Sequence, residues 1–382
     1  MRRLLLHPLA LLALLHLYVG WRLSGAFEAR PAVQAAIGAY LLASFALIPL
    51  SMNARRHAGR LAHVLAWCGF LCMGLFSSLF VLTLLRDVAV LPIGRYAGAE
   101  WTTLLGSSAL FVLGAACAAS FAGFLIARRG VRVHTIDIPI AALPADLCGF
   151  RIAQISDIHV GGTIGAEFVA AIVARVNALD PDVIAITGDV VDGEVEHLRD
   201  DTEPLRGLRA REGVFLVTGN HEYYSGEAQW TREFTRLGIT VLKNRHVALR
   251  RGGSTLLLAG VTDTSAHHFD PRQRSDPAAA LRGAPAVAVR VLLAHRPASA
   301  DDAQAAGYQL QLSGHTHGGQ FWPWNLFVGY FNPFSAGLAR HHDMWVYVNR
   351  GTGYWGPPMR LGIPPEITLL RLTAADENVS RG

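Results

Sequence analysis

Five short segments, far apart in the chain, carry the side chains best suited to divalent metals. They are Asp157-Ile158-His159, Gly188-Asp189, Gly219-Asn220-His221-Glu222, Ala294-His295-Arg296-Pro297 and Gly314-His315-Thr316-His317-Gly318-Gly319-Gln320. Carboxylates, an amide and imidazoles together form a mixed oxygen and nitrogen donor set that suits Mn, Fe or Zn. Taken singly, each segment has an ordinary reading. A Gly-Asp or Gly-Asn after a strand is commonly a turn, and a lone histidine before a proline commonly packs or caps. Gly-His-Thr-His-Gly is more specific, because two histidines at i and i+2 on a glycine-flanked loop can both point inward. Taken in series, the five describe a two-metal centre. Two cations roughly 3.5–4 Å apart hold an attacking bridging hydroxide and grip phosphate oxygens together, and one carboxylate bridges the pair.

The elements that must position these residues are visible just upstream of each. RIAQIS, DVIAIT, GVFLVT, VRVLLA and YQLQLS are apolar, β-rich runs that each end at a segment. The donors therefore fall at strand ends, where open α/β sheets form ligand sites. Ala166–Leu179 has Phe168, Ile172, Val173 and Val176 at helical spacing, which predicts an amphipathic helix between strands. Further strands are expected at TLLLAGV, WVYVN and EITLLRL. Several late strands are joined by turns too short for parallel crossovers, which predicts a mixed α/β sandwich of two packed sheets.

Composition points elsewhere for the rest of the chain. Of 382 residues, 51% are hydrophobic and only 16% charged, too apolar for an ordinary soluble enzyme. The excess lies in Leu4–Gly20, Pro31–Leu50, Leu61–Leu85 and Thr103–Ala127. A span needs about 20 apolar residues, so four transmembrane helices are expected, the first being the shortest. Met1-Arg2-Arg3 followed by leucines resembles a secretory signal, but no small-residue cleavage site follows and a retained helix is the expectation. His7 and His16 in that helix are read as interfacial or packing residues, and no span is expected to hold a charge in its interior. Arg2, Arg3, Arg55, Arg56, Arg60, Arg128, Arg129 and Arg132 lie on one side, against Arg22, Arg30, Arg86 and Arg95 on the other. That bias places the N-terminus and everything after the fourth span in the cytoplasm. The expected organisation is a membrane domain over 1–130, a linker with an edge strand (VRVHTIDIPI) over 131–149, and the metal-bearing domain over 150–382. Four cysteines, three of them inside spans, have neither disulfide nor zinc spacing. The net charge of +5 comes without a basic run interleaved with aromatics, so no nucleic-acid partner is expected.

From Phe150 to Leu372 the ordered segments resemble the calcineurin-like metallophosphoesterase family, and Gly-Gly-Gln with RGTGYWGPPMRLGIPPEITLL resembles a membrane-anchored bacterial branch of it. The resemblance implies an α+β/α/β fold, a four-layer αββα sandwich following the transmembrane helices. It implies that Asp157, His159 and His317 hold one metal with Asp189, and that Asp189 bridges to a second held by Asn220, His295 and His315. His221 would be catalytic, protonating the leaving oxygen or stabilising the phosphoryl group, with Glu222 orienting it. The expected protein is a phosphohydrolase of the bacterial inner membrane acting on phosphate-ester or pyrophosphate bonds. Its substrate is a phosphorylated small molecule or lipid, a UDP-diacylglucosamine-type molecule being the most concrete. A non-catalytic metal-binding scaffold of the same fold is the rival reading, and a complete ligand set argues against it. Arg350 and Arg360 are candidate substrate-phosphate contacts, balanced against a bracing role. The aromatics Phe321, Trp322, Trp324, Phe327, Tyr330, Phe331 and Phe334 form either a lip that meets the bilayer or a cap on the core. Asp192, His197, Asp263, His267 and His268 match no motif position and are expected to be solvated loop residues.

Overall fold

A computed structural model describes residues 2–28, 30–54, 59–96 and 98–375. Arg55 and Arg56, and the side chains of Arg2, Arg3, His7 and Arg95, lie outside the described set. The chain divides into two compact units, Met1–Arg128 with Gly356–Leu361, and Arg129–Trp355 with Gly362–Gly382.

The first unit is built on α1 (Arg2–Ser24), α2 (Pro31–Ala54), α3 (Arg60–Val90) and α4 (Trp101–Arg128). With the short helical turns that extend the first and third, they form four stretches long and apolar enough to cross a membrane: Pro8–Phe27, Pro31–Ala54, Arg60–Gly94 and Trp101–Arg128, of 20, 24, 35 and 28 residues. Val19, Leu23, Ile37, Leu41, Phe76, Leu79 and Val112 face one another, while Leu14, Leu42, Phe111 and Phe121 point outward. Apolar surface on both sides is the pattern of helices whose outer solvent is hydrocarbon. A Cβ at Gly69 would lie 2.4 Å from the Leu47 carbonyl oxygen, so the glycine permits close approach of α2 and α3. His16 is a packing residue: it stacks on Phe76 at 3.7 Å and its Nε2 meets Ser44.

One expectation fails here. The third helix runs past Leu85 to Val90 and takes Arg86 and Asp87 into its buried face. Asp87 accepts from Arg22 at 2.6 Å and from Tyr18 at 2.8 Å, and Arg86 donates to Ser108 at 2.9 Å. Mutual pairing and hydrogen bonding lower the cost of burying these charges. The late segment Gly356–Leu361 belongs to this unit too. Arg360 N–H donates to the Gly123 carbonyl at 3.0 Å, and Met359 sits against Gly74.

The second unit holds two six-stranded sheets. The first contains β1 (Arg132–Ile140), β2 (Arg151–Ile155), β3 (Val183–Ile186), β4 (Val214–Leu216), β5 (Thr240–Val241) and β12 (Glu366–Ala374), in the order β1-β12-β2-β3-β4-β5. The second contains β6 (Arg245–Arg251), β7 (Ser254–Gly260), β8 (Val289–Leu293), β9 (Leu310–Ser313), β10 (Gly337–His341) and β11 (Met344–Val348), in the order β10-β11-β9-β8-β7-β6. The strand β1 is paired along its length with β12 and forms the edge of this sheet. Strands β2 to β5 run parallel, as do β7 to β9 and β11. The short hairpins β6–β7 and β10–β11 are antiparallel, as their turn lengths require. Ile152, Val183, Phe215 and Leu370 from the first sheet meet Leu258, Val291, Leu293 and Leu312 from the second in one apolar layer. The helix α5 (Ala166–Asn177) buries Val169, Ile172, Val173 and Val176 on an outer face, the stripe its sequence spacing indicates.

Candidate metal centre

All five segments begin where a parallel strand ends. The loops after β2, β3 and β4 bring Asp157, His159, Asp189, Asn220 and His221 from the first sheet. Those after β8 and β9 bring His295, His315 and His317 from the second. Parallel pairing places strand C-termini at the same end of a sheet, and hydrogen bonds across the layers bring the two ends together. Gln154 Nε2 donates to the Ser313 carbonyl at 2.9 Å, and His315 N–H donates to Asp157 Oδ2 at 3.0 Å.

Three groups of ligand atoms result: Asp157, His159 and His317; His159, Asp189 and His221; Asp189, His295 and His315. Within each group the atoms lie within 4.8 Å of one another. His159 Nε2 faces His317 Nε2 at 3.0 Å, and His317 Nε2 is 3.4 Å from Asp157 Oδ1. Across the site, Asp189 Oδ2 lies 3.2 Å from His295 Nε2, which is 3.2 Å from His315 Nδ1. Imidazole nitrogens this close to one another and to carboxylates fit shared cations. Among the described residues Asp189 and His159 are each common to two of the groups, and Asp189 is the carboxylate of the pair.

The surrounding groups set which nitrogen is free. His295 Nδ1 is tied to the Thr187 carbonyl at 2.8 Å, and His159 Nδ1 to Asp192 Oδ1 at 3.0 Å. Each bond takes the Nδ1 proton and turns the Nε2 lone pair toward the centre. The same Asp192 oxygen meets His221 Nδ1 at 2.5 Å. Burial acts to lower the His221 imidazole, but the Asp189 and Asp192 carboxylates outweigh it and raise it to about 9. Burial likewise opposes ionisation of Asp192, and its two histidines overcome that and hold its carboxyl well below the usual range.

Backbone conformation is the least expected feature. Asp157, His159, Asp189, His315 and His317 all have positive φ, between 51° and 70°. Left-handed backbone is uncommon outside glycine and concentrates at functional sites, where surrounding structure enforces it. The motif glycines have steric reasons. A Cβ at Gly219 would lie 2.1 Å from Asp189 Oδ1, and one at Gly314 would lie 2.2 Å from Asp157 Oδ2.

Some assignments change. Glu222 accepts from the N–H groups of Asp189, Val190, Val191 and Gly219, so it clasps the β3 and β4 loops; the carboxylate on the His221 ring is Asp192. Asp192 is therefore no solvated loop residue: its side chain is 6% exposed. Asp263 is not solvated either. It is buried and holds Arg296 Nε at 3.0 Å, and Arg296 Nη2 donates to Asn220 Oδ1 at 3.1 Å. His267 bonds the Thr264 carbonyl and packs on His268, within their own loop. Arg350 pairs with buried Glu366 through both its N–H and its guanidinium, a bracing role. Arg360 is fully buried, and its segment Gly356–Leu361 groups with the helical unit. The signal that marks Asp192 is its place three residues after Asp189 on the same loop; nothing in the sequence links Asp263 to Arg296.

A sandwich of this topology, with acid, amide and imidazole donors gathered at one set of strand ends, defines a metal-dependent phosphoesterase. Residues 150–319 match the family model described as Calcineurin-like phosphoesterase. The chain is 37% identical over 328 residues to the Danio rerio "Transmembrane protein with metallophosphoesterase domain", covering 82% of this chain and 75% of that protein. A Bos taurus protein of the same name is 40% identical over 268 residues, covering 67% of this chain and 60% of that one. A metallophosphoesterase of Bacillus subtilis is 30% identical over 251 residues, 64% of this chain and 85% of its own length. The chain belongs to the calcineurin-like phosphoesterase family, joined to four helices apolar enough to span a membrane.

Proposed function

We propose that this chain is a membrane-anchored phosphohydrolase that uses two divalent cations to cleave phosphate-ester or pyrophosphate bonds in an amphiphilic substrate. For the pyrophosphate case, a UDP-diacylglucosamine-type lipid is the candidate the sequence suggests. The observation that supports the reaction is the gathering of Asp157, His159, Asp189, His295, His315 and His317, with His221 beside them, into close donor groups at the strand ends. Asp157, His159, Asp189 and His317 would hold one cation, and Asp189, Asn220, His295 and His315 the other, of the Mn, Fe or Zn kind. Bound there, they supply an activated water and neutralise phosphate charge. His221, gripped by Asp192, gives a proton to the leaving oxygen. Arg296, held by Asp263 beside Asn220, binds a phosphate oxygen. A scaffold would have no use for so complete a donor set. The arginine bias supports a cytoplasmic sandwich at a bacterial inner membrane.

The aromatic loop supports the amphiphilic substrate. Phe321 is buried, but Trp324, Leu326, Phe327, Tyr330 and Phe331 are exposed, the last two by 82% and 85%. Rings so exposed do not cap a core, and contiguous exposed apolar surface marks an interaction site. Full-length protein purified in detergent should contain divalent metal and hydrolyse members of a phosphate-ester and lipid-pyrophosphate panel. Asp189→Ala should abolish that activity, and unchanged turnover would refute the mechanism. Trp324→Ser with Phe331→Ser should depress lipid turnover alone, whereas equal loss on a soluble aryl phosphate would remove the membrane role of the loop.

A further inference from the structure

His221 stands between aromatic rings that no part of the metal chemistry requires. Tyr224 lies one turn further along the short helix α7 (Asn220–Tyr224), its ring 5.4 Å from the imidazole at 68°. Trp355 lies 5.9 Å away at 75°. Phe269 extends the wall, 5.8 Å from Tyr224. All three belong to the sandwich unit, and their exposures are 64%, 36% and 52%. Tyr224 and Trp355 flank the imidazole and Phe269 continues from Tyr224, a partly exposed aromatic surface suited to an apolar group.

Trp355 is held there by design of the metal loop. Gln320, which follows His317-Gly318-Gly319, donates through Nε2 to the Trp355 carbonyl at 3.0 Å and accepts the Trp355 N–H at 2.8 Å. That residue has φ of 63°, and its side chain braces both polar groups of one peptide position. The loop that carries two ligand histidines thus also sets the indole beside His221.

We propose that Tyr224, Trp355 and Phe269 form the leaving-group subsite, and that the substrate is a phosphate ester whose leaving alcohol is apolar next to its bridging oxygen. The inference rests on the reading of His221 as proton donor. Water adds to phosphorus, the bond from phosphorus to the bridging oxygen breaks, and the His221 proton passes to that oxygen, releasing an alcohol and phosphate. The carbon on the leaving oxygen must then lie against whatever flanks His221, and here that is aromatic. Sugars and inorganic phosphate as leaving groups would leave these rings wet.

Ethyl, hexyl and 2-phenylethyl phosphate, all with alkoxide leaving groups, separate the possibilities, with chain and ring tested by separate arms. For the full-length wild type loaded with metal, kcat/KM should be at least tenfold higher for hexyl or 2-phenylethyl phosphate than for ethyl phosphate. Trp355→Ala and Tyr224→Ala, compared at matched metal content, should each cut that preference by about tenfold, the size of one lost ring contact. Trp355→Phe should restore most of it. A preference unchanged in both alanine variants, or absent in the wild type, overturns the subsite. Failure of the wild type to hydrolyse any of the three overturns the monoester reading, and the subsite with it.

Discussion

Replacing Asp192 by Asn tests the centre at its most economical point, because one carboxylate oxygen serves two imidazoles. Asp192 Oδ1 lies 3.0 Å from His159 Nδ1 and 2.5 Å from His221 Nδ1. Asparagine keeps an acceptor of the same shape, so the rings need not move, but the charge is gone. Charge-assisted hydrogen bonds exceed neutral ones by about 1 kcal/mol each, so the loss should divide between the two histidines. Through His159 it should weaken metal binding about tenfold, the low end for a residue that orients a metal ligand. Through His221 it should lower kcat at saturating metal by about tenfold. Chelator competition reads the first and steady-state kinetics in excess metal the second, with the exposed Asp200→Asn as control. If excess metal restores full kcat, His221 does not depend on Asp192. If metal affinity is also unchanged, the carboxylate does neither task.

Two further outcomes follow from packing and charge. Gly219→Ala should fold yet lose metal, since a methyl 2.1 Å from Asp189 Oδ1 displaces that carboxylate; metal analysis of the purified variant decides it. Glu227, buried and bonded to Lys243 at 2.8 Å, is lowered from its ordinary value: burial works against ionisation, but Lys243, Thr231 and Gln273 outweigh it. A carboxyl depressed on folding stabilises the fold above its unfolded pKa and loses that contribution as pH falls through the folded one. Glu227→Gln should therefore cost about 2 kcal/mol at pH 7 and progressively less below about pH 4. Thermal unfolding in detergent at both pH values measures it, and a pH-independent difference would contradict the ion pair.

The sequence determined more here than in most chains. Strand-then-donor order is a local property, and so are apolar helices of membrane length, so the two packed sheets and the four long helices could be read from the residues, while the αββα layering and the ligand roles came from the family resemblance. Local reading stopped where partners come from distant loops. Asp192 was taken for solvent-facing because its two histidines, His159 and His221, arrive from the loops after other strands. Glu222 was given to the neighbouring His221, yet its carboxylate satisfies backbone N–H groups of the β3 loop, which only the sheet order brings close. That Arg360, next to a glycine-rich motif, lies in a segment grouped with the helices is likewise invisible in the sequence. The five segments are thus legible as candidate metal donors from their chemistry and their place after strands. Which carboxylate orients which imidazole, and that aromatic rings flank His221, depend on through-space neighbours that only tertiary packing creates.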